Sequence, residues 1–554
     1  MHARHHPRPP YPIWLAATLL AGLAVLPARA GDWTYRVHPD DNIWTLARRY
    51  LKADVPWQQL QDYNHVADPY HLLPGSRLRI PVQWLRVEPA SATVAAAIGD
   101  ARAWLPGQAQ PVPVTPGMRL GYGARVETGT DASLTLEFAD GSRMLVQGGS
   151  EVSLDRMSAY GRTGMADTRV RLQRGRVVND VTPMPGNAAH FVVQTPGAVS
   201  SVRGTHFRVA ADDARARTEV EVLGGRVEVT GDRRHVQVRK GSGVAVEEGR
   251  RPGRVRRLLP APALRCPAAP VVRPAYALDW QAQPGAAAYR VQIAHDRRFA
   301  ALLYDHVTDA LPHASLPDLP NGDYLLRVRG IEPDRLEGLD ATCALRIATH
   351  PQPPLVQEPQ PGGTARAERP RFRWTESSEA ASYAWQLAAD PQFRQLLAER
   401  QDLADNRVRA PAALPPGRYY WRVASRDREG RLGPYTDALP FDRADAPPAP
   451  ALATLKRSGD GLTLGWSAGA PGQRYRIQMA RDPDFAHPVV DSTVEQPSLT
   501  LRKPASGTWY VRLRVVDDDE FAGAWGPAQK VRLPCIPCRI ALGTGGAALL
   551  WLLL

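Results

Sequence analysis

The sequence predicts a mostly β, multidomain protein, and three observations carry that expectation. The chain has 554 residues, enough for roughly three to five domains at ~100–200 residues each. Proline (52) and glycine (45) together make about 17.5% of it, high for a helical protein but below the roughly 25–30% of disordered low-complexity chains. Many short apolar runs lie between these breakers, and 44% hydrophobic residues with 14 Trp supply material for several cores. Together these exclude collagen, a coiled coil, a polytopic membrane protein and a single large α/β enzyme.

Residues 1–30 have the layout of a secretory signal peptide: Met1–Pro12 with basic residues and no acid, the apolar run Ile13–Leu26, and Ala28-Arg29-Ala30 before Gly31. The run is short of the ~20 residues needed to span a bilayer. The formal charge of +13 is carried by arginine far more than by lysine; removing Arg4, Arg8 and Arg29 leaves +10 on the exported chain. Export takes the protein away from nucleic acid, so the positive charge points to an anionic wall or membrane surface. The expected location is the periplasm or cell envelope of a Gram-negative-type bacterium.

Residues 33–83 read strand, helix, helix, strand. Tyr35-Arg36-Val37 is extended, and Asn42 is a good N-cap for the run Ile43, Trp44, Leu46, Ala47 and Tyr50. A second helix fits Pro56–Asn64, and Pro74-Gly75 turns the chain into the strand Arg77–Pro81. The phrases Tyr35-Arg36-Val37, Asp41-Asn42-Ile43-Trp44-Thr45-Leu46-Ala47, Leu60 to Asn64 and Pro74-Gly75-Ser76-Arg77-Leu78-Arg79-Ile80-Pro81 resemble the LysM family, with Asp40 and Asn42 replacing the family's glycine and threonine. The resemblance implies a βααβ module that binds peptidoglycan or another N-acetylglucosamine polymer. Its groove would lie between Asp41, Asn42 and Ile43 on one side and Tyr70, His71, Leu72 and Leu73 on the other. His38, His65 and His71 read as solvated loop residues rather than a metal site.

Over residues 92–250 the helical pattern disappears. Ser133–Phe138 alternates, Asp140-Gly141 is a hairpin turn, and Arg143–Val146 resumes the strand. Val170–Val178 is another strand, and Arg217–Leu223, Gly224-Gly225 and Arg226–Val229 read as a repeat of the hairpin, suggesting a rolled sheet, sandwich or short solenoid. Leu172-Gln173-Arg174-Gly175-Arg176-Val177 and Ser201-Val202-Arg203-Gly204-Thr205-His206-Phe207 resemble the FecR family. The resemblance implies a periplasmic sensing or protein-interaction fold, joined in the best-known members to a cytoplasmic domain that controls a sigma factor. Only twelve residues precede the apolar run here, too few for a folded domain, so sigma-factor control by this polypeptide alone is not expected. Within the signature, Gly204 reads as a tight turn with Thr205 and Phe207 packing the next strand; direct partner contact through Arg203 is the other reading.

The last third repeats. Trp280, Trp374 and Trp466 recur about every 93 residues, each followed nine residues later by Tyr289, Tyr383 and Tyr475. Each tyrosine opens a strand, and Gly322–Val328, Gly417–Val423 and Gly507–Leu513 repeat a later phrase. The period and the core Trp suit a seven-stranded sandwich. The order resembles fibronectin type III-like domains, at 265–349, 354–443 and 449–533, immunoglobulin-like in architecture. Alternating arginines such as Arg327 and Arg329, or Arg512 and Arg514, read as solvent faces of strands.

Four cysteines allow three pairings; Cys266 and Cys343 bracket one module, so a Cys266–Cys343 bridge with a local Cys535–Cys538 pair is expected. Residues 534–554 form a hydrophobic tail; Ile540–Leu554 would make a helix of ~22 Å, short of the ~30 Å hydrocarbon core, and is read as inserting into a membrane or docking on protein. No nucleophile elbow, P-loop, HExxH or Cys-His transpeptidase signature occurs, and neither cofactor nor metal is expected. The expectation is a non-enzymatic envelope protein: a peptidoglycan binder and a periplasmic scaffold or sensor with an unidentified protein partner. The alternatives are a regulatory component working with a separate membrane protein, and a cell-wall glycan hydrolase.

Overall fold

At the N-terminus, Asp32–Arg36 pairs antiparallel with Arg77–Pro81, and helices Ile43–Tyr50 and Trp57–Asn64 lie between them. The computed structural model describes residues 31–183, 190–458, 461–502, 504–517 and 520–533; the expected signal peptide, the tail and the Cys535–Cys538 pair lie outside them. The first helix buries Ile43, Leu46, Ala47 and Tyr50, the i, i+3, i+4, i+7 stripe of an amphipathic helix. Trp44 falls out of that phase and stays 48% exposed under the Arg48 guanidinium, correcting its place in the apolar run. Met165 and Tyr160, from the next module, join this small core.

Between Glu88 and Arg257 the chain builds two sheets over one apolar core. The 15-residue strand Ala166–Asp180 belongs to both. Its first half pairs with Glu151–Ala159 and, in parallel, with His190–Gln194; its second half pairs with Arg143–Val146 and His206–Asp212. The Ser133–Glu137 and Arg143–Val146 hairpin forms as expected. Gly224-Gly225 is not a hairpin. Arg217–Gly224 pairs with His206–Asp212 and Ser242–Glu247, whereas Arg226–Gly231 pairs with Val199–Val202 and Arg234–Arg239. The glycines carry the chain around a corner from one sheet to the other.

The first sandwich sets Leu302–Thr308, Ala288–Ala294, Gly322–Ile331 and Ala341–Ile347 against the pair Ala277–Asp279 and His313–Ser315. It has six strands, not seven. The segment before Tyr276 carries Pro267, Pro270 and Pro274, which cannot donate to a ladder, and it makes only the isolated bridges of Leu264 and Val271. Contacts group everything up to Ile347 into one unit and place Ala348 onward in a second.

In the second unit, the second sandwich packs Val356–Glu358, Arg371–Trp374 and Arg407–Arg409 against a larger sheet centred on Gly417–Arg426. The third has the expected seven strands: Leu452–Ser458, Gly461–Trp466 and Ser498–Arg502 against Val490–Val494, Arg474–Ala480, Gly507–Val516 and Gln529–Leu533. All three sandwiches share one core device. Each Trp meets its Tyr edge-on, with centroids 5.1, 5.5 and 5.5 Å apart. Each Tyr hydroxyl accepts a backbone N–H six residues earlier, from Gln283, Ser377 and Gly469.

The alternating arginines are not solvent faces in the first sandwich, where Arg329 and Arg327 are 0% and 7% exposed. The reason is the neighbouring two-sheet module, which packs on this face of the sandwich. Glu337 lies at the centre of the joint. From the two-sheet side, Arg176 Nε approaches its carboxylate at 3.3 Å and Arg208 at 4.0 Å; from the sandwich side, Arg290 Nε donates at 2.9 Å and Arg329 Nε also donates. Glu221, fully buried, receives Arg176 and Arg208 at 3.0 Å and the Glu337 backbone N–H at 3.0 Å. Asp340 accepts from Arg329 at 3.0 Å. Burial alone would push both carboxyls up, but the surrounding guanidiniums hold Glu337 well below the usual carboxylate range and Asp340 at about 2.

Removing a buried partner strands the opposite charges, at a cost of about 3–5 kcal/mol. Glu337→Gln should therefore lower amide protection together in His206–Asp212 and Gly322–Ile331; loss confined to one strand would refute a shared joint. Asp340 titrates at about 2 in the fold against its ordinary 3.8. Its contribution is complete above roughly pH 4 and disappears as pH falls through about 2, on the order of 2 kcal/mol. Acid unfolding of Asp340→Asn should be flatter than that of the parent across this window.

Candidate functional site

The two loops of the N-terminal module meet at one backbone hydrogen bond, Ile43 N–H to Pro69 carbonyl at 2.9 Å. The first loop is held by its own acids. Asp40 adopts φ +67, the left-handed conformation that glycine takes most easily and Asp tolerates better than most residues. The Asp41 carboxylate accepts from the Tyr35 hydroxyl at 2.7 Å and the His38 N–H at 2.8 Å. Burial first, then this hydrogen bond, pushes the Tyr35 phenol up. Asn42 caps the helix: its Oδ1 accepts the Thr45 N–H at 2.8 Å while Thr45 Oγ1 reaches back to Asn42, a capping box built with Thr.

The second loop is organised by Asp68. Its carboxylate accepts the Tyr70 N–H at 2.9 Å and faces His71 Nδ1 at 2.8 Å, and these contacts hold it below the usual carboxylate range. Leu72 packs on the module core. Tyr70 and Leu73 stand 69% and 76% exposed.

The seven expected groove residues thus fall into two groups. Asp41, Asn42 and Ile43 are spent on the fold, as loop acid, helix cap and buried core, so the first loop can offer a ligand little beyond backbone. Tyr70, His71 and Leu73 present side chains outward. Trp44 is a further exposed aromatic next to Ile43 that the residue pattern misassigned; its position one step off the buried stripe was the available signal.

At the FecR signature, Gly204 has φ +74, and a Cβ there would lie 2.6 Å from Pro183 Cα. Thr205 is buried with its hydroxyl donating to the Arg226 carbonyl at 2.9 Å, and Phe207 is fully buried. These three serve the corner, and Arg203 is exposed beside them. Cys266 and Cys343, the expected pair, lie side by side as thiols; burial first, then the Cys266 thiol, pushes Cys343 up to about 12. Among the described residues, no group of three or more His, Cys, Asp or Glu could hold a metal ion, and no helix is long and apolar enough to cross a membrane.

Two family models match the chain: the LysM domain over residues 35–81 and FecR protein over 124–228. No curated protein matches. Among solved structures, a protein described as an anti-sigma factor from Parabacteroides distasonis is 19% identical, over 24% of this chain and 57% of that one, with a TM-score of 0.20. The FN1–FN3 domains of chicken CNTN1 are 16% identical, over 50% and 99%, with a TM-score of 0.24. The fibronectin(III)-like modules of Clostridium thermocellum CbhA are 14% identical, over 32% and 92%, with a TM-score of 0.23. The match spans little more than half the length of the anti-sigma factor. The chain carries a LysM domain, a FecR region and fibronectin III-like sandwiches. The matched families are of binding and regulatory types.

The loop geometry sets distinct tolerances. In thermal unfolding, Asp40→Gly should be nearly neutral, Asp40→Val should cost about 1–2 kcal/mol for its left-handed backbone, and Asn42→Ala about 1 kcal/mol for the lost cap.

Proposed function

We propose that this protein is a non-enzymatic component of the bacterial cell envelope, exported to the periplasm, that binds peptidoglycan or a related N-acetylglucosamine polymer. The observation that carries the reading is the LysM match over 35–81 on a module whose two loops are joined at Ile43 and Pro69 and leave Tyr70 and Leu73 exposed. Ring faces and apolar edges suit stacking on sugars, while loop backbone groups suit N-acetyl recognition. In this reading, residues 33–83 anchor the chain, 92–250 engage an envelope partner, and the sandwiches at 265–349, 354–443 and 449–533 display that surface at a distance. Residues 540–554 would add membrane contact. A single glycan-binding module binds weakly, because avidity needs linked copies.

The FecR match over 124–228 favours a second reading, a regulatory role exerted with a separate membrane protein. Crosslinking in cells separates the two: a captured membrane protein supports regulation, and glycan alone counts against it.

Co-sedimentation with insoluble peptidoglycan tests the anchoring. The full chain should pellet, and Tyr70→Ala with Leu73→Ala should weaken binding about tenfold, given ~1 kcal/mol or less per aromatic contact and its apolar neighbour, with unchanged thermal stability. No pelleting of the parent, or equal pelleting of the double variant, sinks the proposal.

A further inference from the structure

The joint around Glu337 is not electrically balanced. Five arginines, Arg176, Arg208, Arg290, Arg327 and Arg329, share four carboxylates, Glu221, Glu337, Asp340 and Asp305. Among the described residues Arg327 forms no ion pair, and it is the one of the five that lines a cavity of about 330 Å³ between the two-sheet module and the first sandwich.

Internal comparison separates what is architecture at Arg327 from what is particular to it. All three sandwiches lay an arginine on a phenylalanine and tie it to a glutamine: Arg327 on Phe299 with Gln292, Arg422 on Phe393 with Gln386, Arg512 on Phe485 with Gln478. The stacking is therefore structural. In the second and third copies the glutamine amide donates onward to the carboxylate opposite it in register, Glu399 at 2.6 Å or Asp491 at 2.8 Å. In the first copy the corresponding Asp305 hydrogen-bonds Arg290 instead, at 2.7 Å. Among the described residues, Gln292 Nε2 and Arg327 Nη2 are left buried without a hydrogen-bond partner. A buried donor with no acceptor is costly, and here the group is a guanidinium 93% removed from solvent.

The cavity mouth repeats the sign. Arg297 and Arg298 sit exposed on the turn before Phe299 and have no ion pair among the described residues. Of the acids on the wall, Asp340 is committed to Arg208 and Arg329, and Asp180 lies at the rim, 3.8 Å from His206. Arg143 is paired with Glu137. Three uncommitted guanidiniums against one rim carboxylate leave about two positive charges, a match for a dianion and an excess for a monocarboxylate.

We propose that this cavity binds a small phosphate-type oxyanion, free or as a phosphomonoester, with Arg327 as the inner donor and Arg297 and Arg298 closing on it from the mouth. Burial first, then Arg329, brings the Arg327 guanidinium down to about 9, the condition of a cation short of counter-charge, which a bound anion would relieve. The site spans two modules, so an occupied cavity would hold the joint more tightly than an empty one. This assignment is independent of the glycan reading.

Calorimetric titration of the purified full chain at constant ionic strength tests it, with inorganic phosphate, glycerol 3-phosphate and acetate as probes. Saturable binding of either phosphate compound, tighter than acetate, is expected; the tighter of the two identifies the free anion or the monoester as the class bound. Arg297→Ala with Arg298→Ala, both at exposed positions, should weaken it about tenfold or more, the worth of one charge-assisted hydrogen bond. Arg327→Met should abolish it. Should Arg327→Met unfold, as judged by circular dichroism, the exposed double variant decides alone. No saturable heat with either phosphate up to about 10 mM, acetate binding as tightly, or affinity unchanged in the double variant would overturn the proposal.

Discussion

Glu337 is a carboxylate that cannot be placed without the arginines around it, and those arginines come from two modules. Arg176 and Arg208 reach it from the FecR region, Arg290 and Arg329 from the first sandwich. A buried ion cluster of this kind is a weak source of net stability, because desolvation offsets most of the attraction. Its effect lies in specificity. An apolar joint would tolerate sliding, whereas a carboxylate shared by four guanidiniums from two modules fixes how those modules meet. The satellite apolar cluster of Leu145, Val178, Phe299 and Leu302 and the hydrogen bonds of Ser133 and Thr135 to Leu302 and Ala300 complete the same surface. The first sandwich and the FecR region consequently share one buried surface.

At the other end of this unit the constraint is local. The LysM loops are shaped by short-range hydrogen bonds within a few residues: Asp41 to Tyr35, Asn42 to Thr45, Asp68 to Tyr70 and His71. A loop pre-shaped by its own side chains loses little freedom when a ligand binds. It also leaves those side chains unavailable to the ligand, which shifts the expected recognition toward backbone groups and the exposed Tyr70 and Leu73.

How much was legible in the sequence followed the range of each interaction. The two helices, the Arg77–Pro81 strand, the 133–146 hairpin and the repeated Trp and Tyr positions are set by neighbours in the chain, and each emerged where its pattern placed it. Arg327 and Arg329 did not, because alternate charged residues on a strand look solvent-facing unless the covering module is known. Glu337, whose backbone carbonyl accepts from Arg208, lies 129 residues further along, beyond any local pattern. Gly224-Gly225 was misread for a related reason. A glycine pair signals a sharp change of direction, but whether the chain returns to the same sheet or crosses to another depends on strands paired elsewhere. For the candidate groove, the loops were identifiable by resemblance, but which side chains face outward was set by hydrogen bonds that only the fold reveals.

The separation of Arg208 from Glu337 also has a temporal meaning. A chain synthesised from its N-terminus produces Arg176, Arg208 and Glu221 well before Glu337 exists, so until then both arginines lack one of the carboxylates that meets them in the fold. Closing contacts across so long a loop is slow, and the missing charge makes early closure unfavourable as well. Completion of the joint therefore waits on the segment 322–347, which carries both Arg329 and Glu337.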